Sequence, residues 1–314
     1  MFRTTIKFLS LLILLTLVSS ICVSAADKNE DLIVFDNVSS TFQRRSVDGS
    51  VTATKIDKAA GPIMPLTADY DGDGNVDIGY WAPQNRTWTI LRSSDGQQLN
   101  ISIGEAFNTD GNTTPVAGQF DRDERADIAF FNADLGTWFL YTSLKGYDNS
   151  QAVKIKFGKN GDVPVAADYD GDGITDIAVF RPKTNEWIYR SSLAGMNISE
   201  KFESKPGDIL VPADYTGDGK ADLAVYRGEM LHGVWFILDS STKTLEKLVF
   251  GFKDATPMPV DIDGDGIMDP TFYDNGTWYF YDSSQPRLHT IKFGSDGCRP
   301  IASAGSLRKT IQKL

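Results

Sequence analysis

Five copies of an Asp-rich loop at a period of about 48 residues, a Trp opening an apolar run after each, and a half-repeat at each chain end predict one architecture. It is an all-β, six-bladed β-propeller of four-stranded blades, closed by pairing the N- and C-terminal half-repeats. Each element of that reading rests on particular residues.

The loops come first. Residues 168–176 read DYDGDGITD, with Asp168, Asp170, Asp172 and Asp176 at positions 1, 3, 5 and 9, Gly173 at position 6 and Ile174 at position 7. No Lys or Arg inside the window balances these charges, so a cation from outside must. A hard divalent ion fits the spacing: alternate side-chain oxygens point inward, position 7 offers its backbone carbonyl, and the glycine permits the turn. The window opens like an EF-hand loop but runs into the β-type segment IAVF instead of a helix. The competing reading, a solvated acidic turn, loses ground to repetition. The same window recurs at Asp69, Asp71, Asp73, Asn75 and Asp77, and at Asp261, Asp263, Asp265, Ile267 and Asp269. With Thr216 at position 3 it recurs again at Asp214, Thr216, Asp218, Lys220 and Asp222. The copy beginning at Gln119 is degraded. It keeps Asp121, Asp123 and Asp127 but has Glu124 where the turn glycine belongs, which requires a glycine-like backbone at a glutamate. The expectation is four bound Ca²⁺, or five if this second loop takes one.

Strands follow from the apolar runs. After each loop comes a segment such as Ile78–Trp81, Ile128–Phe131, Ile177–Phe180 or Leu223–Tyr226, with a small second residue (Gly79, Ala129, Ala178, Ala224) that implies close approach of a neighbour. A turn leads to Trp88, Trp138, Trp187, Trp235 or Trp278. Two residues beyond each Trp, on the same strand face, stand Ile90, Leu140, Tyr189, Ile237 and Phe280, so that face is read as packed between blades and not as a sugar-stacking platform. A fourth run ends in Phe157-Gly158, Phe250-Gly251 or Phe293-Gly294, and a short stretch such as Pro164-Val-Ala-Ala precedes each loop. At the ends, Asp31–Phe35 matches Asp176–Phe180, Phe42 falls where Trp187 does, and Pro300-Ile-Ala-Ser matches Pro164-Val-Ala-Ala. Ala304, Ser306 and Arg308 stand where loop aspartates would be, so the sixth loop carries no metal set.

On these residues, the D-x-D-x-D-G-x-x-D loops, the Phe-Gly pairs and the Trp strand, positions 31–306 resemble FG-GAP or VCBS repeats, whose best-known members are the integrin α propellers. The resemblance implies a propeller with calcium at the blade loops, in adhesion or ligand recognition. The blade count departs from the integrin pattern and no companion domain is visible, so the ligand is not implied.

Composition adds bounds. The chain has 314 residues and a formal net charge of −11, and the five windows contain eighteen aspartates against 42 acidic residues in all. No basic stripe suits nucleic acid. Residues 1–26 have the form of a secretory signal, with Arg3 and Lys7, an apolar run from Phe8 to Val18, and Ser24-Ala25-Ala26 before Asp27; an uncleaved anchor is the alternative. The domain expectation is therefore a signal over 1–26, a propeller over 27–307 and a basic tail over 308–314. No later stretch is apolar enough to span a bilayer. Loss of Cys22 with the signal leaves Cys298 alone, so no intrachain disulfide forms. Sequons at Asn37, Asn85, Asn100, Asn112, Asn197 and Asn275 are glycan acceptors in a eukaryotic secretory route.

Catalytic chemistry is not visible. His232 and His289 occupy non-equivalent repeat positions, no nucleophile motif accompanies them, and the carboxylates are accounted for as metal ligands. Trp81, Tyr147 and the insertion 108–114 break the repeat and mark where an asymmetric ligand site would lie. The expected function is that of a secreted or cell-surface, calcium-binding, non-enzymatic recognition or adhesion module whose partner is an extracellular protein or glycan. Two alternatives stand beside it: a lectin with equivalent inter-blade sugar sites, and a carbohydrate-active lyase or hydrolase.

Overall fold

The computed structural model describes residues 31–57, 61–104 and 112–301, with the backbone of 309–310. The leader 1–26, residues 108–111 of the insertion, Ala304, Ser306, Arg308 and Lys313 lie outside the described residues.

Six antiparallel sheets form six blades, and among the described residues there is no α-helix. The fourth blade shows the plan: a short innermost strand Val163–Pro164, then Ile177–Arg181, Glu186–Arg190 and the outer strand Asn197–Lys201. The second strands carry a buried apolar run, such as Ile177–Phe180, because both faces meet a neighbouring blade. The outer strands alternate and face water on one side, as in Asn197–Lys201.

The ring closes across the termini. The first blade takes Leu32–Asp36, Thr41–Arg45 and Val51–Lys55 from the N-terminal end, and its innermost strand, Cys298–Ile301, comes from the C-terminal end. Val34 faces Pro300 in the same register in which Val179 faces Pro164. The pairing removes an open sheet edge. Lys309–Thr310 adds a short strand against Ile209–Leu210, on the inner edge of the fifth blade.

Six apolar clusters fill the six interfaces between blades. Trp88 packs with Phe130 of the next blade, Trp138 with Val179, Trp187 with Val225, Trp235 with Phe272 and Trp278 with Val34. In the first blade Phe42 takes the Trp place, against Tyr80. All five tryptophans are 0% exposed, which leaves none of them as a face for stacking sugars. The small second residues are needed for the reason the sequence suggests. A Cβ on Gly79 would stand 2.4 Å from the Leu66 carbonyl oxygen and 2.6 Å from the Tyr70 ring.

Candidate functional site

Each loop joins the innermost strand of a blade to its second strand, and two interlocked sets of hydrogen bonds shape it. The carboxylate at position 1 accepts from the backbone N–H groups at positions 4 and 6: in the third loop Asp168 takes Gly171 and Gly173, both at 2.7 Å. Those glycines have φ near +80°, a left-handed backbone that disfavours side chains. In the four loops that have glycine at position 4, that position needs it as much as position 6 does, whereas Arg122 holds position 4 of the degraded loop outside the left-handed region. The degraded loop shows the cost, because Glu124 is held at φ +63°.

The carboxylate at position 9 is buried and anchors the loop to its strand. Asp77 is 0% exposed and accepts from the N–H groups of Tyr70 (2.8 Å), Asp71 (3.2 Å) and Ser93 (2.6 Å). Asp176, Asp222 and Asp269 repeat this with Tyr169 and Ser192, Tyr215 and Ser240, and Ile262 and Ser283. Burial pushes the carboxyls of Asp127, Asp176, Asp222 and Asp269 up to about 6 despite these donors. At these four carboxyls desolvation outweighs hydrogen bonding.

A serine from the turn after the Trp strand closes over every loop. Ser93, Ser143, Ser192, Ser240 and Ser283 each give their backbone N–H to the position 9 carboxylate and their hydroxyl to the position 5 carboxylate. A second hydroxyl reaches position 3, from Ser94 to Asp71, Ser191 to Asp170 and Ser284 to Asp263. Sequence reasoning missed these serines. The signal was present as a Ser-Ser or Thr-Ser pair after each Trp strand, at 93–94, 142–143, 191–192, 240–241 and 283–284.

Of the residues expected to hold metal, the structure draws carboxylate oxygens to within 4.8 Å of one another in four loops. The groups are Asp69, Asp71 and Asp77; Asp121, Asp123 and Asp127; Asp168, Asp170 and Asp176; and Asp261, Asp263 and Asp265. Asp73, Asp172 and Asp269 stand outside these threesomes, and each bonds a serine. Among the described residues, Asp214, Asp218 and Asp222 form no such group, since Thr216 replaces the central carboxylate. The backbone N–H groups of Asn75, Ile174, Lys220 and Ile267, at position 7, bond the position 5 carboxylates. This turn fixes the orientation of their peptide units. The donor set is all oxygen, which suits Ca²⁺. The second loop differs. Arg125 bonds Asp123 at 2.7 Å, so guanidinium charge already enters that loop, while one oxygen of Asp121 is buried without a partner; Arg122 reaches outward to Asp172 of the third loop at 3.1 Å.

Two of the repeat-breaking residues, Trp81 and Tyr147, do not line an open site. Trp81 and Tyr147 are buried between the second and third blades, and the Tyr147 hydroxyl bonds the Ala126 carbonyl. His232 lies exposed at the start of a strand in the fifth blade, and His289 stacks on Phe280 in the sixth, 3.4 Å from Asp282. Cys298 is buried beside Ser295.

A family profile described as an FG-GAP-like repeat matches residues 119–179, the second loop through the third. No curated protein matches the chain significantly. Among solved structures, an Agrocybe aegerita lectin described by its recognition of non-reducing terminal N-acetylglucosamine is similar over 90% of this chain and 76% of that one. Its TM-score is 0.54 at 16% identity. A catalytically inactive virginiamycin B lyase from Staphylococcus aureus with quinupristin covers 85% of each chain, with TM-score 0.52 and 11% identity. TolB from Acinetobacter baumannii has TM-score 0.53 and 13% identity, over 86% of this chain and 65% of that one. At these identities the likeness shows the fold alone: a β-propeller, an architecture that serves both binding proteins and enzymes.

Proposed function

We propose that this chain is a secreted or cell-surface recognition module whose propeller is stapled by Ca²⁺ at its Asp-rich loops. The observation that carries the reading is the loop plan: convergent carboxylates under a serine lid, with no lysine or arginine inside the first, third or fifth window to balance them. Bound calcium supplies that positive charge. Asp69, Asp71, Asp73 and Asp77 would hold it in the first loop, Asp168, Asp170, Asp172 and Asp176 in the third, and Asp261, Asp263, Asp265 and Asp269 in the fifth. Asp214, Thr216, Asp218 and Asp222 would form a weaker site in the fourth, while Asp121, Asp123 and Asp127 compete with Arg125 for the second. The carbonyls of Asn75, Ile174, Lys220 and Ile267 complete the sets.

The chain's own part is orientation. Glycines at positions 4 and 6 turn the loop, position 9 pins it to the second strand, and the serines tie it to the neighbouring turn. Rigid loops on one face of a ring suit recognition of an extracellular protein or glycan. The C-terminal residues 308–314 and the leader 1–26 play no part in this mechanism. Calorimetric titration of Ca²⁺ into the EDTA-stripped protein tests the metal, with three tight sites and at least one weaker site expected. Absence of any heat of binding overturns it. Arrays of glycans and extracellular proteins, probed in millimolar Ca²⁺ and in EDTA, test recognition; a folded protein that binds nothing on either overturns it.

A further inference from the structure

The six innermost strands surround the axis of the ring, each with one edge bonded within its blade and the other edge facing the axis. The pairing decides which edge a given N–H serves. In the fourth blade Val165 donates to the Ala178 carbonyl at 2.9 Å. In the second and sixth, Leu66 donates to Gly79 at 2.8 Å and Met258 to Thr271 at 2.7 Å. Bonded and open positions alternate along an antiparallel strand, so the residue before each donor turns its main-chain groups toward the axis. That residue is Pro164, Pro65 and Pro257, facing Val179, Tyr80 and Phe272. Pro115 in the third blade and Pro300 in the first stand at the same register, against Phe130 and Val34. Proline has no N–H to offer, and at a free edge it blocks the addition of another strand.

The fifth blade departs from this rule. Leu210 faces Val225 in the proline position, and Val211 beside it donates to the Ala224 carbonyl at 2.9 Å. Leu210 therefore directs an N–H toward the axis. On that edge Lys309–Thr310 is paired antiparallel, Lys309 against Leu210 and Thr310 against Ile209. Among the described residues, no other innermost strand carries a partner on its free edge. Ile301 closes the first blade and Lys309 sits on the fifth, so the segment links the two blades that flank the sixth. Its charge also suits the place. Residues 305–314 hold Arg308, Lys309 and Lys313 and no acidic residue, in a chain of net charge −11.

We propose that the free edge of Ile209–Leu210 is a strand-docking site whose occupant is the chain's own C-terminal segment, held by main-chain hydrogen bonds beside the axis of the ring. Main-chain pairing supplies the attraction in such docking, so the place is chosen by where proline is missing. In that place the segment covers the one inner edge that proline leaves open to pairing with another chain. A ladder of two residues is short, so the segment exchanges between docked and released states while the blade stays folded.

The test uses the full chain in millimolar Ca²⁺ and follows amide hydrogen exchange by NMR. Two substitutions in the tail, away from the folded blades, separate pairing from mere proximity. Lys309 lies in the bonded register with Leu210, whereas Thr310 turns its N–H away from the fifth blade. In the wild type the Leu210 amide is protected. Lys309→Pro speeds its exchange about tenfold or more, Thr310→Pro leaves it protected, and the Val211 amide, bonded inside the blade, is unchanged in both. Four results overturn the proposal. They are a Leu210 amide that exchanges freely in the folded wild type, undiminished protection in Lys309→Pro, equal loss in both variants, and protection that disappears on dilution. The last would assign the edge to the tail of a second copy.

Discussion

At the residue scale, the loops depend on a few atoms with no slack. The Ser192 hydroxyl donates to Asp172 at 2.9 Å while its N–H serves Asp176. Ser192→Ala keeps the second bond and loses the first, so the expected cost is about 1 kcal/mol, read as a lower urea midpoint with unchanged slope. Away from the loops, Arg227 forks onto Asp208 with both bonds at 2.8 Å, and Asp208 is 1% exposed. Arg181 and Asp162 repeat the arrangement one blade earlier. Asp208→Ala strands the guanidinium and is expected to cost about 3 kcal/mol, checked by the same denaturation. The loop aspartates were legible in the sequence because their spacing is fixed by one short segment. The serine lid was not, since serines are common and only the fold shows that a turn 14 to 18 residues later lies over the loop.

At the scale of elements, the period of the sequence carried nearly everything. Four runs per repeat became four strands. Phe42, aligned with Trp187, occupies the matching place in its blade, opposite Phe35 as Trp187 is opposite Phe180. The assignment of the tryptophans to packing between blades holds at every one of them. Trp187→Ala empties the interface between the fourth and fifth blades and is expected to cost about 3–5 kcal/mol. Trp187→Phe, which copies the aromatic of the first blade, costs less; thermal unfolding of both variants checks the order. What the sequence could not reveal was register across blades. Glu200 and Lys243 are 43 positions apart in the chain, and nothing local relates them. Trp81 and Tyr147, which looked like irregularities open to a ligand, proved to fill an interface, because their apolar bulk found a neighbouring blade to pack on.

Across the whole molecule, the loops are linked in series. The N–H at position 8 of one loop donates to the position 1 carbonyl of the loop before: Ala126 to Asp69, Thr175 to Gln119, Ala221 to Asp168 and Met268 to Asp214. Order in one loop therefore supports the next, and the ring as a whole depends on its closing strand. Removal of residues 297–314 strips Cys298–Ile301 from the first blade and exposes the edge of Leu32–Asp36. The truncated chain is expected to self-associate more than the full chain, as size-exclusion chromatography would show. Closure itself was readable in advance, from a start that lacks a loop and an end that supplies the missing strand.

The measurement that tests the central claim most directly is thermal unfolding of the wild type and of Asp170→Asn/Asp172→Asn, each in saturating Ca²⁺ and in EDTA. The metal-stapled account predicts that the double variant melts below the wild type in Ca²⁺ and close to it in EDTA, because only the metal-bound state loses ligands. Equal melting of the two proteins in saturating Ca²⁺ would contradict it, and would leave the aspartate loops as hydrogen-bonded turns held by their glycines and serines alone.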